Sequence, residues 1–222
     1  MLSIKDEYEI QPIPYKVAMD LFVRNHYLHR KAPCSQAFGL FEKEGNNGRL
    51  VGVVVYGTPA SRALQKGLCG EEEANNVLEL TRLWIEDGTP KNTESFLIGN
   101  TMSLVKKEIL VSYAEVEQGH LGIVYQATNW IYTGLSAKRT ERYDINNPNR
   151  HSKSVTEQKG VNYKDLAIRE RPQKHRYIYF TGNKKQVIKL KKELNYKIEP
   201  YPKGINKRYD SSYKPTIQKE LF

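Results

Sequence analysis

One segment of the chain, residues 111–134 (VSYAEVEQGHLGIVYQATNWIYTG), concentrates side chains that could do chemistry. Glu115 directly follows an apolar run, and a carboxylate in that position can act as a base or bind a metal ion. His120 and Tyr125 could hydrogen-bond the edge of a substrate. Alternatively, Glu115 only supplies a hydrogen-bond acceptor at the start of a helix, with Tyr125 half-buried. The spacing leaves both interpretations open.

A second candidate segment is EDGTPKNTES, residues 86–95, which precedes a predicted helix. The first-turn N–H groups and the positive dipole end of a helix favour anions. Lys91, Asn92, Thr93 and Ser95 could add hydrogen-bond donors around a pyrophosphate. The segment matches neither GxxxxGK[ST] nor GxGxxG. Ordinary helix capping by Asn92 or Thr93 is the alternative.

The third candidate is RNHYLHR, residues 24–30, in which His26 and His29 lie three positions apart. On a helix this spacing places both imidazoles on one face, where they could share a metal ion or contact a phosphate. Both histidines could equally be capping or surface residues.

Apolar periodicity predicts the helices that position these residues. Residues 15–30 form the first, with Val17, Leu21 and Phe22 in one stripe, and NKKQVIKLKKEL forms a short basic one near the end. Two further helices are predicted, one carrying Ile98, Met102, Val105 and Ile109, and one over residues 120–132 with Ile123, Ala127 and Trp130 or Ile131 inward and Gly134 just past its end.

The predicted strands are two runs around EGNNG, which is typical of a hairpin, and then VLELTRLWI, ILVSYAE and KHRYIYF. Residues 143–174 lack periodicity and are predicted to form a loop. The order of elements indicates an α/β or α+β fold with a mixed central sheet flanked by helices. Two strand–helix–strand crossings would make neighbouring parallel strands, and ligands collect at the carboxyl ends of such strands.

Charge is distributed unevenly over the 222 residues, whose net charge is +10. Residues 137–222 contain 22 Lys and Arg against nine Asp and Glu, with tyrosines among them. Phosphates need cations and bases need flat surfaces, so this basic part predicts a nucleic-acid partner within a single domain over residues 1–222. No apolar run is long enough to span a membrane, and MLSIKDEYEI lacks a signal-peptide pattern, which favours the cytoplasm.

Four blocks resemble the Mom family of phage DNA-modification proteins, in order from about residue 16 to residue 203: NHY, ELTRLWIEDGTPKNTES, VSYAEVEQGHLGIVYQATNWIYTG and KHRYIYF…PYPK. The resemblance implies a fold related to the GNAT acyltransferases. It also implies conversion of adenine N6 in phage DNA to a carbamoylmethyl (acetamido) derivative, which protects that DNA from host restriction. A paired adenine must be flipped out of the duplex to be reached.

The resemblance also implies a set of site residues. His26 and Tyr27 match the family's His-Tyr pair, and Glu115 lies where the family usually has aspartate. The other matched positions are Arg82, Ser95 and Tyr125. The family is expected to use iron, held here by His26, Tyr27, Glu115 and Tyr125, and acetyl-CoA, whose pyrophosphate would lie at residues 91–95 without the usual glycine-containing loop.

The expected partners are double-stranded DNA with a flipped adenine and a second copy in a homodimer, with no membrane partner. Candidate contacts to DNA phosphates are Lys138, Arg139, Arg142, Lys174 and Arg176. Two other functional classes remain open: a non-enzymatic DNA-binding protein on a GNAT-like scaffold, and an N-acetyltransferase acting on a small amine or a protein.

Overall fold

The computed structural model describes residues 3–26, 30–43, 48–148, 152–156, 158 and 160–206. The strands are β1 (Tyr8–Pro12), β2 (Gln36–Glu42), β3 (Leu50–Gly57), β4 (Val77–Ile85), β5 (Ile109–Glu115), β6 (Ile131–Leu135), β7 (Arg139–Tyr143), β8 (Ala167–Arg171) and β9 (Lys174–Phe180). The helices are α1 (Ile4–Glu7), α2 (Tyr15–Asn25), α3 (Arg62–Cys69), α4 (Thr93–Thr101), α5 (Ile123–Ala127), α6 (Ser152–Thr156) and α7 (Lys184–Glu193).

Seven strands form one mixed sheet in the order β1-β2-β3-β4-β5-β9-β6. The predicted hairpin of β2 and β3 is confirmed, although residues 44–47 of its turn lie outside the described residues. The first predicted crossing is also confirmed, because β4 and β5 pair in parallel across α4. The second is wrong: β9 is antiparallel to β5 and is inserted between β5 and β6.

Helices cover both faces of this sheet. The α2 face is packed against α2, α3 and α7 through side chains such as Phe22, Leu68 and Leu190. The α4 face is packed against α4 and α5 through Leu97 and Tyr125. Side chains alternate between the two faces along each strand. The face that a strand residue occupies therefore decides which partners it can meet.

Three predicted helices are shorter than expected. In α2 Phe22 is buried but Val17 is 39% exposed, and the helix ends at Asn25 because the backbone of His26 is extended. The apolar stripe that was predicted to run along one helix as far as Ile109 belongs to two elements, because α4 ends at Thr101 and Ile109 is the first residue of β5.

The helix predicted over residues 120–132 is a single turn, α5. Asn129 follows it with a positive φ of 61°, and residues 131–135 then form β6, which pairs with β9. Ile123 is 45% exposed rather than inward, whereas Trp130 is fully buried. Gly134, predicted as a helix end, lies within β6. The loop predicted over residues 143–174 is also wrong in part, because it contains α6 and β8, and β8 pairs with β7 in a separate two-stranded sheet.

No helix in the described part of the chain is long and apolar enough to cross a membrane.

Candidate active site

The parallel strands β4 and β5 diverge after three residue pairs. Their pairing covers Val77–Glu79 and Ile109–Val111, yet β4 continues to Ile85 and β5 to Glu115. We call the opening between residues 80–85 of β4 and residues 112–115 of β5 the wedge. Strand edges without a neighbouring strand present N–H and C=O groups that an extended ligand can bind. The wedge is therefore the place in the central sheet where a chain-like molecule can lie between two strands.

A hydroxyl pair lies at the root of the wedge on the α4 face. The hydroxyl of Ser112 donates to the carbonyl oxygen of Leu80 at 3.0 Å and is hydrogen-bonded to the Tyr125 hydroxyl at 2.8 Å. The Tyr125 ring packs between Trp130 and Tyr177. Burial raises the pKa of Tyr125 to about 12, so the phenol keeps its proton at neutral pH. Tyr125 is therefore a protonated, hydrogen-bonded phenol at the root of the wedge.

A charged group occupies the α2 face of the same region. Lys174 lies opposite Glu115 in the β5–β9 pair, and its Nζ is 2.6 Å from Glu115 Oε1. Burial alone would raise the pKa of Glu115, but the charge and hydrogen bond of Lys174, with weaker contributions from His120 and Arg30, hold it below the ordinary value. Glu115 is therefore a carboxylate at neutral pH, bound to a lysine.

Glu79 is the second carboxylate on the α2 face, at the last paired position before the strands diverge. Among the described residues its carboxylate has no hydrogen-bond or ion-pair partner. Burial raises the pKa of Glu79, while the charges of Lys174 and Arg82 act to lower it. A half-buried carboxylate with a raised pKa and no partner is better suited to accept a proton than the ion-paired Glu115.

A comparison with protein families identifies the chain. The model of the Mom protein family matches residues 7–203. The chain belongs to the Mom family. A curated relative, the methylcarbamoylase Mom of Escherichia phage Mu, is 29% identical over 196 residues, which cover 82% of this chain and 74% of the phage protein. The resemblance noted in the sequence is thus confirmed.

Solved acetyltransferases align along most of this Mom-family chain. Arabidopsis thaliana NAA60, solved with a bisubstrate analogue, aligns with a TM-score of 0.47 and 8% identity over 79% of this chain and 98% of that chain. A Bacillus subtilis acetyltransferase solved with CoA aligns with a TM-score of 0.41 and 11% identity, over 79% of this chain and 99% of that chain. At these TM-scores the alignments support no conclusion about the fold or the chemistry of this chain. The predicted mixed central sheet flanked by helices is confirmed by the strand pairing itself.

Two of the metal ligands expected for this Mom-family protein, Glu115 and Tyr125, lie on opposite faces of the sheet. Tyr125 contacts Ser112 of β5 on the α4 face. Glu115 follows Ser112 by three residues along the same strand, so its side chain points to the opposite, α2 face. Tyr27, like His29, lies outside the described residues. Within the described ranges no three His, Cys, Asp or Glu side chains are grouped closely enough to hold an ion. The described donors do not fit an iron site, and we assign no step to iron.

Two other matched positions share the α2 face with Glu79. Arg82 lies opposite Val55, a residue of the α2-face core, and its Nη1 donates to the carbonyl oxygen of Thr81 at 2.6 Å. His26 is buried at the end of α2, with its ring edge-on to Phe22. The backbone of His26 is extended rather than helical, and His29, its predicted partner, lies outside the described residues.

The predicted pyrophosphate contacts at the start of α4 are only partly accessible. Thr93 is fully buried, and its hydroxyl donates to the carbonyl oxygen of Pro90 at 2.6 Å. Ser95 donates to the carbonyl oxygen of Asn92 at 3.0 Å and lines, with Asn92, a cleft of about 410 Å³ between α4, the end of α5 and Tyr179 of β9. Lys91 is exposed. Thr93 is therefore held against Pro90 in the interior, and the N-cap residue Asn92 makes no side-chain cap hydrogen bond to a described residue.

The candidate phosphate contacts differ in their surroundings. Arg176 is 8% exposed, its Nε and Nη2 donate to Thr133, and its guanidinium lies 3.4 Å from the centre of the Tyr196 ring. These interactions, and the Lys174 ion pair with Glu115, do not favour phosphate contact. Lys138 and Arg139 are exposed, and Arg142 donates to the carbonyl oxygen of Leu166.

Two residues of the site were missed in the sequence. Glu79 stands between Leu78 and Leu80, and a lone carboxylate within an apolar strand is a signal that could have indicated it. Ser112 interrupts the apolar run of β5 in the same way.

Proposed function

We propose that this protein is a transferase that places a carbamoylmethyl group on N6 of adenine in double-stranded phage DNA and so protects that DNA from restriction. The observation that carries the proposal is the match of the Mom family over residues 7–203, together with the methylcarbamoylase relative. The net charge of +10 supports a polyanionic substrate.

The two faces of the wedge support different roles. On the α2 face the adenine N6 forms the new N–C bond, and Glu79 takes the proton that N6 loses. On the α4 face the donor's leaving group takes the electron pair of the broken bond, and Tyr125 gives it a proton. Lys174 and Arg82 stabilise the Glu79 carboxylate before the transfer. General base catalysis of this kind contributes about 10²- to 10⁴-fold.

An adenine must be flipped out of the duplex to reach Glu79 in the wedge. The exposed cations beside β6 and β9, Lys138 and Arg139, support binding of the phosphates that flank the flipped nucleotide. Phosphate contacts position the duplex but read no sequence, so the recognised DNA context is not part of the proposal.

The unpaired strand edges of the wedge also fit the extended, amide-containing arm of acetyl-CoA. When bound there, acetyl-CoA would supply an activated two-carbon group. In the carbamoylmethyl product N6 is bonded to a methylene carbon, which corresponds to the methyl carbon of the acetyl group, and the product also contains an amide nitrogen. With acetyl-CoA as the donor, the reaction would therefore require a nitrogen source and a two-electron oxidant.

The proposal is tested by mass spectrometry of nucleosides from the DNA of cells that express the protein. We expect a carbamoylmethyl deoxyadenosine adduct with wild-type protein and at least about 100-fold less of it with the Glu79→Gln variant at equal soluble expression. Unmodified adenine with well-expressed wild-type protein would refute the DNA-modifying function. An acetylated protein or small amine in the same cells would instead indicate an N-acetyltransferase.

A further inference from the structure

The strands β7 and β8 form a two-stranded arm beside the central sheet, with a root next to the ends of β6 and β9. The register of the arm places Arg139 directly opposite Arg171 at this root. Both arginines are exposed. Directly opposed residues have Cβ atoms about 5 Å apart, so two positive charges are held side by side.

The other arginines of the arm have partners in the arm or in the segment that connects its two strands. Arg169 forms an ion pair with Glu141 at 2.7 Å and lies over the Tyr143 ring. Arg142 donates to the carbonyl oxygen of Leu166 and lies over the Tyr163 ring at 4.2 Å from its centre. These contacts fix the arm as a small folded unit.

Arg139 and Arg171 differ from them. Over the described part of the chain, neither guanidinium has a hydrogen-bond or ion-pair partner. Like charges directly opposite each other destabilise a strand pair. An anion between them would remove this repulsion, and a guanidinium pair matches the geometry of phosphate oxygens. The arrangement is therefore one that a phosphate would stabilise.

The pair also lies beside the mouth of the wedge. The arm root is separated by two residues from Lys174, the partner of Glu115. Burial raises the pKa of Tyr113 on the α2 face, and the charge of Arg139 acts to lower it, so this guanidinium is within electrostatic reach of the wedge. A phosphate held at the arm root would lie next to the carboxylates of the α2 face.

We propose that Arg139 and Arg171 form a clamp for one backbone phosphate of the DNA strand that carries the flipped adenine. The clamp rests on the proposed function, and it specifies where the DNA strand that carries the flipped adenine passes the wedge. Arg171 had not been singled out in the sequence. The clamp holds the backbone in position, while base recognition takes place in the wedge.

The test compares two double variants that each remove two positive charges. Arg139→Gln/Arg171→Gln removes the clamp. Lys184→Gln/Lys191→Gln removes two exposed lysines of α7, which follows the opposite end of β9 from Lys174. Binding to a fluorescein-labelled DNA duplex is measured by anisotropy over a series of salt concentrations, with thermal unfolding as a check on folding.

We expect the clamp variant to bind about tenfold more weakly than wild type and to lower the slope of log K against log salt by about 1. The lysine variant should change affinity less than about twofold, because its charges lie away from the DNA path. A clamp that contributes only to arm structure would lower the unfolding temperature. We expect an unchanged or higher one, because the repulsion is removed.

The outcomes for the clamp and for the proposed function are separate. Wild-type protein that modifies adenine in cells, with a clamp variant that binds DNA like wild type, overturns the clamp and leaves the function intact. Equal losses in both double variants also overturn it, because binding then follows total charge. Wild-type protein that leaves adenine unmodified overturns the function, whatever the binding results.

Discussion

Ser112 of β5 donates a hydrogen bond to the carbonyl oxygen of Leu80 of β4 at 3.0 Å, one residue beyond the last paired position of the two strands. A side chain thus joins the strands where backbone pairing stops. The same hydroxyl contacts Tyr125, so the position of the phenol is tied to the point where the wedge opens. Changes at this root should affect both stability and transfer.

Replacing Tyr125 by Phe removes the hydroxyl while keeping the ring packed against Trp130 and Tyr177. We expect a loss of about 1 kcal/mol in the free energy of unfolding, measured by urea titration, for one buried hydrogen bond. We expect at least about a tenfold loss of DNA modification, because the leaving group loses its proton donor. Tyr177→Phe is the control, since its hydroxyl bonds to Leu121 instead. Equal loss of modification in both variants would assign Tyr125 a packing role only.

Glu79→Gln should reduce modification by about 100-fold or more, because an amide cannot accept the N6 proton. It should also stabilise the protein at neutral pH. Burial raises the folded-state pKa of Glu79 above its unfolded value of 4.5. Ionising the carboxylate therefore costs more in the folded protein than in the unfolded chain, and it lowers the free energy of unfolding as the pH rises above 4.5. The stability difference between variant and wild type should therefore disappear as the pH falls below about 4.5. A variant less stable than wild type at pH 7 would contradict the absence of a partner for this carboxylate.

Glu115→Gln should have the opposite dependence on pH. The folded-state pKa of Glu115 lies below its unfolded value of 4.5, because Lys174 binds the carboxylate. The ion pair therefore stabilises the protein above pH 4.5, and this contribution is lost as the pH falls through the folded-state pKa.

The expected size of this effect is about 1 kcal/mol at pH 7, since both side chains are partly exposed. Urea unfolding of Glu115→Gln, Lys174→Met and the double variant at pH 7 and at acidic pH gives the coupling energy directly. A coupling energy near zero at pH 7 would show that the ion pair does not stabilise the site.

Gly122→Ala should disturb the position of Tyr125. Gly122 has a φ of 69°, and an added Cβ would lie 2.4 Å from Cε2 of Tyr177, which packs against Tyr125. We expect a loss of more than about 2 kcal/mol, because backbone strain and a clash add. Gly70→Ala is the control: φ is 94° but nothing lies within 4 Å of the new Cβ, so the strain acts alone. If thermal unfolding shows similar losses of stability for Gly122→Ala and Gly70→Ala, a clash at residue 122 is contradicted.

Local patterns predicted those parts of the fold that local contacts determine. The alternation of Leu78 and Leu80 and the β-branched run of β5 indicated the two strands that form the wedge. The hairpin of β2 and β3 was equally clear from its turn residues. These elements are specified by neighbouring residues, so one sequence is sufficient to find them.

Pairing between distant segments could not be predicted in this way. Ile123, Ala127 and Ile131 have helical spacing, yet Ile131 pairs with Ile178 of β9, and this tertiary contact outweighs local propensity. The insertion of β9 between β5 and β6 is not encoded in any local pattern.

The site shows the same division. The polar residues at the end of β5 indicated a site at the correct end of the parallel strands. The face that each side chain occupies was not taken into account, although Ser112 and Glu115 are an odd number of positions apart. This parity separates Glu115 from Tyr125, and it explains why these two of the ligands inferred from the family resemblance do not come together.

The central position of β9 has a consequence for synthesis on the ribosome. Until residue 180 has been made, β5 has no neighbour on one side and β6 has no strand to pair with. A nascent chain that ended before β9 would expose the apolar edge of β5, which is a template for aggregation. The wedge and the basic arm must therefore be completed together late in translation, and the arm cannot be removed as a terminal truncation without also removing a central strand.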